Sequence, residues 1–227
     1  MIRQALVFAA GRGERLRPLT DTTPKPLIAV GGKPLIVWHL EKLAAAGVRD
    51  VVINTSHLAE QFKPALGDGS RWGIAIRYSY EGPTPLETGG GMRRALDLLD
   101  DETFIAVSAD IWSDYDYATL PESIDGAAHL VMVPNPDFHP RGDFNLDNGF
   151  LNGEGKGERL TFANIGVYRR CFIDDQADGS FKLLPMFQRA MRNRQLSGER
   201  YDGAWHNIGN VAQLEALNAT LRDSHEN

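Results

Sequence analysis

Apolar residues along this chain gather in short unbroken runs, separated by stretches in which they return at helical spacing. Ala5–Ala9, Val51–Asn54 and Phe104–Val107 are such runs, and Leu130–Val133, ended by Pro134, is another. Runs of this length predict strands buried on both faces, as parallel strands are. Ile74–Tyr78 alternates apolar and polar and predicts a further strand. Between them, Leu35, Ile36, Trp38, Leu40 and Leu43 follow Pro34 and predict a helix that stops at Gly47. Leu58–Leu66 predicts a short helix ended by Gly67-Asp68-Gly69, and Met92–Leu99 a third. Strand and helix patterns in alternation predict βαβ units on a mostly parallel sheet, an α/β fold. Right-handed crossovers then place the loops that follow the strands on one edge, where open α/β sheets bind ligands.

From Ala127 the pattern changes. Arg141–Leu151 predicts a hairpin turning at Asn148-Gly149, followed by a glycine-rich loop at Gly153–Gly157 and a strand over Leu160–Tyr168. A helix is expected around Lys182–Arg194 and a strand over Glu199–Ala204. A final amphipathic helix places Val211, Leu214, Leu217 and Leu221 on one face. We therefore expect one domain over residues 1–227, with a first half (1–125) and a second half (126–227).

Composition narrows the class. The 227 residues are 42% hydrophobic and 24% charged, ordinary for a globular chain, and the net charge of -6 argues against a nucleic-acid scaffold. Cys171 is the one cysteine, which excludes an intrachain disulfide and a thiolate zinc cluster. The chain opens directly into a strand and no apolar run reaches membrane-spanning length, so we expect no signal peptide, no membrane association and a cytoplasmic location.

Against that acidic background, residues 11–33 carry five basic side chains (Arg12, Arg15, Arg17, Lys25, Lys33) and two acidic ones (Glu14, Asp21). With Gly11 and Gly13 letting backbone N–H groups approach a ligand, this stretch predicts a phosphate site. It is not a Walker loop, because Lys33 is followed by Pro34 and Lys156 by Gly157. Nor is it the dinucleotide fingerprint, because Leu16 occupies the place of the third glycine. A second candidate is Asp110, in Ser108-Ala109-Asp110, at the exposed end of the Phe104–Val107 strand. A carboxylate there is costly without a cation, and Mg²⁺ takes one or two carboxylates plus phosphate oxygens. An N-cap for residues 113–120 is the alternative role. Asp114 and Asp116 read as surface groups, and so does His206.

Ala9-Ala10-Gly11-x-Gly13-x-Arg15-Leu16-x-Pro18-Leu19-Thr20 with Pro24-Lys25-Pro26-Leu27 resembles the signature of the sugar-nucleotide pyrophosphorylases, the nucleoside-diphosphate-sugar nucleotidyltransferases. The resemblance spans essentially the whole chain. It implies a Rossmann-like nucleotide-diphospho-sugar transferase fold with a small β-hairpin sugar-binding lobe. It also implies attack of a sugar 1-phosphate on the α-phosphorus of a nucleoside triphosphate, with Mg²⁺ as cofactor. Ala10, Gly11, Arg12 and Gly13 would then cradle the triphosphate, Arg15 would hold its outer phosphates, and Lys25 would sit at the reacting phosphate. Leu86-Glu87-Thr88-Gly89-Gly90-Gly91 is similar to the family's nucleobase segment, with Glu87 where glycine is usual, and implies base contacts from Glu81, Gly89 and Gly90. On the sugar side it implies Gly142, Glu158 and Asn164. Trp205-His206-Asn207-Ile208-Gly209 stands where the family carries a second metal-binding aspartate, so Asn207 would join Asp110 as a metal ligand without the charge. Retention of Arg15, Lys25 and Asp110 together favours an enzyme over a non-catalytic sugar-nucleotide sensor. Residues 85–91, 110–116 and 142–144 resemble the short branch that uses UTP and N-acetylmuramate 1-phosphate in cell-wall recycling. GTP with mannose or heptose 1-phosphate stays open, and a monomer or small homo-oligomer is expected.

Overall fold

A computed structural model of the chain describes residues 1–223. Its strands are β1 (Gln4–Phe8), β2 (Ala29–Val30), β3 (Lys33–Pro34), β4 (Asp50–Thr55), β5 (Ala75–Tyr80), β6 (Thr103–Ser108), β7 (Ile111–Ser113), β8 (Ala128–Val133), β9 (Phe144–Asp147), β10 (Phe150–Asn152), β11 (Glu158–Arg169), β12 (Leu196–Arg200) and β13 (Trp205–Asn207). Its α-helices are α1 (Leu19–Thr22), α2 (Leu35–Ala45), α3 (Phe62–Leu66), α4 (Glu87–Ala95), α5 (Leu184–Arg192) and α6 (Val211–Asp223).

Nine strands form one sheet in the order β5-β4-β1-β6-β11-β8-β12-β10-β9. The pairs β5–β4, β4–β1 and β1–β6 are parallel. β11 then enters antiparallel between β6 and β8, and the hairpin β9–β10 closes the far side. The apolar runs divide their side chains between two cores, as the period of two requires. Ala5 and Val7 pack with Ile36, Leu40 and Leu43 of α2 on one face of the sheet. Leu6 packs with Met92 and Ala95 of α4 and Phe187 of α5 on the other. A third cluster lies at the ligand edge, where Leu214, Leu217 and Leu221 of α6 bury Leu16, Val30, Leu35 and Ile208. The last helix thus covers the back of residues 16–35.

Several elements differ from expectation. α4 starts at Glu87 rather than Met92, so Gly89, Gly90 and Gly91 are buried helical residues and not an open backbone surface. Their packing explains this. Side chains at Gly89 or Gly90 would overlap Phe181 or the Gly179 carbonyl, and one at Gly91 would overlap Glu81 and Asn54. Glu87 opens the helix at φ 62°, a left-handed conformation that suits the glycine usual in the family. β12 spans Leu196–Arg200 rather than 199–204, because its pairing with β8 fixes the register from Leu196↔Ala128 to Arg200↔Met132. Residues 113–120 hold only a single 3₁₀ turn, Tyr117–Thr119, and Asp116 caps it by accepting from the Ala118 N–H at 2.9 Å, which frees Asp110 from that role. The Asn148-Gly149 turn forms as expected, with both residues at positive φ (49° and 79°). Among the described residues no helix is long and apolar enough to cross a membrane.

Candidate active site

The first cavity, about 490 Å³, opens beyond the carboxyl ends of β1 and β6. Gly11, Arg12, Gly13, Arg15, Lys25 and Asp110 all line it. The loop that supplies most of them is fixed locally. Gly13, at φ 63°, turns the chain so that its carbonyl accepts from the Leu16 N–H (2.9 Å) and the Thr20 hydroxyl (2.9 Å). A side chain at Gly13 would press on Thr20 and on the Lys25 stem, whereas one at Gly11 would meet no protein atom within 4 Å. Gly11 therefore answers to no packing demand and sits open on the cavity. Arg12 donates across the mouth to the Pro83 carbonyl at 3.1 Å. Ala10 is buried beneath the loop at 6% exposure and is not part of the wall.

Lys25, in the 3₁₀ turn Lys25–Leu27 between two prolines, is 8% exposed and donates to Asp110 Oδ2 at 2.9 Å. Ser108 donates its hydroxyl to Asp110 Oδ1 at 2.7 Å, so both oxygens of the carboxylate are held. Burial pushes the Asp110 carboxyl up, but the Lys25 ammonium and the Ser108 hydroxyl outweigh it and hold the group below the ordinary carboxylate range. Asp110 is thus an anion in a defined orientation on the floor of the cavity.

The strand that follows Asp110 is anchored from α2. His39 is 2% exposed. Its Nε2–H donates to the Ile111 carbonyl at 2.8 Å, and its Nδ1 accepts from the Tyr117 hydroxyl at 2.7 Å. Burial lowers its pKa to about 4 against a backbone hydrogen bond that works the other way, so the ring is neutral. From the other side β13 pairs with β7, Asn207 opposite Ile111, and the Ile208 N–H donates to the Asp110 carbonyl at 2.9 Å. Asn207 lies on the strand next to Asp110, one register step away. Asp110 lines the first cavity and Asn207 the second, and a carboxylate and an amide oxygen are each hard donors of the kind a divalent cation takes. Among the described residues no group of three or more His, Cys, Asp or Glu gathers to hold a metal. His206 is half-buried against the Trp112 ring (centroids 5.8 Å apart) rather than on the surface, and burial lowers its pKa.

Glu81 is turned inward. Its Oε1 accepts from Asn54 Nδ2 (2.6 Å) and its Oε2 from the Leu86 N–H (2.7 Å), while Asn54 Oδ1 accepts from the Ala9 N–H (2.5 Å). This buried chain ties the ends of β1, β4 and β5 to the start of α4. It sets the glycine loop after β1 and the 81–91 segment at a fixed spacing. Burial raises the Glu81 pKa against the three groups that favour its anion, the Leu86 N–H, Asn54 and Arg94. Neither Glu81, Gly89 nor Gly90 is part of the wall of the first cavity.

A second cavity, about 400 Å³, lies on the β11 side of β13. Asn164 and Asn207 line it. Asn164 adopts φ 59° where the β11–β8 register shifts between Phe162 and Gly166, a bulge that re-aims its side chain. Gly142 and Glu158 are not in the wall. Gly142, at φ 57°, packs on Asn135 and the Leu160 carbonyl, and Glu158 pairs with Arg200 at the far end of β11. Sequence reasoning missed Phe138, His139, Asp143 and Trp205, which do line this cavity. The available signal was a His-x-x-x-Asp spacing beside an aromatic residue in a loop stiffened by Pro134, Pro136 and Pro140.

Comparison with known proteins places this geometry. The model of the nucleotidyl transferase family matches residues 4–140, which contain the whole wall of the first cavity except Gly209. The chain is 44% identical over 226 residues to N-acetylmuramate alpha-1-phosphate uridylyltransferase of Neisseria meningitidis serogroup B, covering 95% of this chain and 97% of that one. It is 33% identical to the protein of the same name from Caulobacter vibrioides, covering 97% of each. Among solved structures, the inositol-1-phosphate CTP transferase from T. maritima shares the fold at TM-score 0.79 and 16% identity, covering 98% of this chain and 97% of that one. With the glycine loop, the Lys25–Asp110 pair and near full-length similarity all agreeing, the chain belongs to the nucleotidyl transferase family and is an enzyme of that family.

Proposed function

We propose that the chain transfers the uridylyl group of UTP to N-acetylmuramate 1-phosphate, giving UDP-N-acetylmuramate and pyrophosphate, in the cytoplasm and as a step in the reuse of cell-wall sugar. The observation that carries this reading is the 44% identity, over nearly both full lengths, to a protein named for that reaction. Mannose-1-phosphate guanylyltransferases also match, one at 39% identity over 58% of this chain and another at 30% identity over 91% of it but 61% of its own length.

The chemistry asks little of the protein beyond position and charge. A phosphate monoester, with its second pKa near 6, is a charged nucleophile at neutral pH, so no side-chain nucleophile or general base is required. In this reading the backbone at Gly11–Gly13, above the buried Ala10, cradles the triphosphate of UTP. Arg12 and Arg15, both exposed at the cavity, hold its outer phosphates. Arg15 lies over Gly209, where a side chain would come within 3.3 Å of its guanidinium, so the C-terminal segment backs it. Lys25 neutralises charge on the α-phosphoryl group as the sugar phosphate attacks and pyrophosphate leaves. The fixed spacing set by Glu81 and Asn54 holds the uracil side of the site, and Asn164 faces the sugar. Members of the family use a divalent metal, which we take to be Mg²⁺. Asp110 would hold it with the Asn207 amide, and when bound it supplies charge neutralisation on the phosphates.

Lys25→Ala tests the assignment. We expect turnover to fall by at least about a hundredfold, the scale for losing one transition-state charge contact, with an unchanged circular dichroism spectrum. Turnover within a few-fold of wild type would remove Lys25 from the reaction.

A further inference from the structure

The second cavity carries features that a sugar bearing only hydroxyl groups does not call for. Phe138 (54% exposed) and Leu184 (49% exposed) are two of the large apolar side chains left exposed on the surface, and both line this cavity. Phe138 stacks on Trp205, ring centroids 6.5 Å apart. Between this apolar rim and the floor stands a polar pair, in which His139 donates from Nε2 to Asp143 Oδ1 at 3.1 Å. The other oxygen of Asp143 accepts from the Phe162 N–H at 2.8 Å, so the carboxylate is fully engaged. His139 is also the one residue in the wall of this cavity able to carry positive charge.

The loop that presents the pair is rigid by construction. The His139 N–H donates to the Pro136 carbonyl (2.8 Å) and the Gly142 N–H to the His139 carbonyl (3.2 Å). Asn135 staples the loop to β11, donating to the Arg159 carbonyl (2.9 Å) and accepting from the Thr161 hydroxyl (2.9 Å). An imidazole whose Nε2–H is fixed on a carboxylate can take up a proton at Nδ1 and donate it to a second carboxylate.

We propose that the His139–Asp143 pair selects a sugar 1-phosphate that carries a carboxylate on a substituent of its ring. Nδ1 of His139 receives that carboxylate, Asp143 positions the ring, and the Phe138 and Leu184 rim covers the apolar parts of the same substituent. The inference rests on the function proposed above, since N-acetylmuramate differs from N-acetylglucosamine only by a lactyl ether that has one methyl and one carboxylate.

The experiment measures kcat/KM with UTP for N-acetylmuramate 1-phosphate and N-acetylglucosamine 1-phosphate, in wild type, His139→Ala and His139→Gln. Gln keeps a donor for Asp143 but carries no charge. We expect wild type to prefer the acidic sugar. Both variants should lose about tenfold or more on it, the scale of a charge-assisted hydrogen bond, while changing little on N-acetylglucosamine 1-phosphate. Equal losses on both sugars, or an undiminished preference in folded His139→Gln, would overturn the inference and leave the proposed function standing. Failure of wild type to use N-acetylmuramate 1-phosphate would overturn both.

Discussion

His39 gives a prediction that the structure quantifies. The ring lies on α2, is 2% exposed, and has both nitrogens engaged in the neutral form, one donating to Ile111 and one accepting from Tyr117. Protonation puts a buried charge among neutral groups and places a second N–H against the Tyr117 hydroxyl. Burial accordingly lowers the pKa from 6.5 to about 4. Because the folded value lies below the unfolded one, the unfolded chain binds the proton first. The stabilisation is fully present above pH 6.5 and is lost as the pH falls towards 4. At about 1.4 kcal/mol per pH unit the gap amounts to about 3 kcal/mol, a large share of the roughly 5–15 kcal/mol that holds a domain folded. The assay is urea unfolding followed by circular dichroism at pH 7.5, 6.0, 5.0 and 4.5, for wild type and His39→Gln. The variant is expected to be less stable at pH 7.5 and to show a visibly shallower fall below pH 6.5. Equal slopes for the two proteins would refute the reasoning. The effect reaches the first cavity because Ile111 directly follows Asp110, so the same contact that senses acid also anchors the segment carrying that carboxylate.

Three further outcomes separate packing from ligand contact. Gly11→Ala should leave stability unchanged and raise the KM for UTP, whereas Gly91→Ala, which forces a methyl into the Glu81–Asn54 hydrogen bonds, should cost about 1–3 kcal/mol in urea unfolding. Asn207→Asp restores a charge beside Asp110 and should lower, several-fold, the Mg²⁺ concentration that gives half-maximal rate; an unchanged requirement removes residue 207 from the metal site. Glu87→Gly relieves a left-handed backbone at φ 62° and should raise stability by up to about 1 kcal/mol, which a thermal melt would show.

The parallel half of the fold was legible because its strands are buried on both faces, and continuous apolar runs are the direct consequence. That Gly11, Arg12, Gly13, Arg15 and Lys25 share one cavity was legible because they lie close together in sequence. Asp110 was legible because the end of a strand has a fixed place in an open sheet. What failed depended on partners distant in sequence. The three glycines of α4 read as a ligand surface until Phe181 and Gly179, some 90 residues later, close on Gly89 and Gly90, and Glu81 and Asn54 close on Gly91. Glu81 read as a base contact, but Asn54 and Leu86 claim both of its oxygens. Glu158 and Asn164 lie on one strand, but Glu158 pairs with Arg200 at its far end while Asn164 sits in the bulge beside the second cavity. The His139–Asp143 pair was hidden because its neighbours in the cavity, Trp205 and Leu184, come from the last quarter of the chain.

The most direct test is pyrophosphate release with Mg²⁺, pairing each of the four ribonucleoside triphosphates with N-acetylmuramate, mannose and glucose 1-phosphates. The account predicts release confined to UTP with N-acetylmuramate 1-phosphate. Release with GTP and mannose 1-phosphate instead, or none with any pair from a folded protein that binds nucleotide, would contradict it.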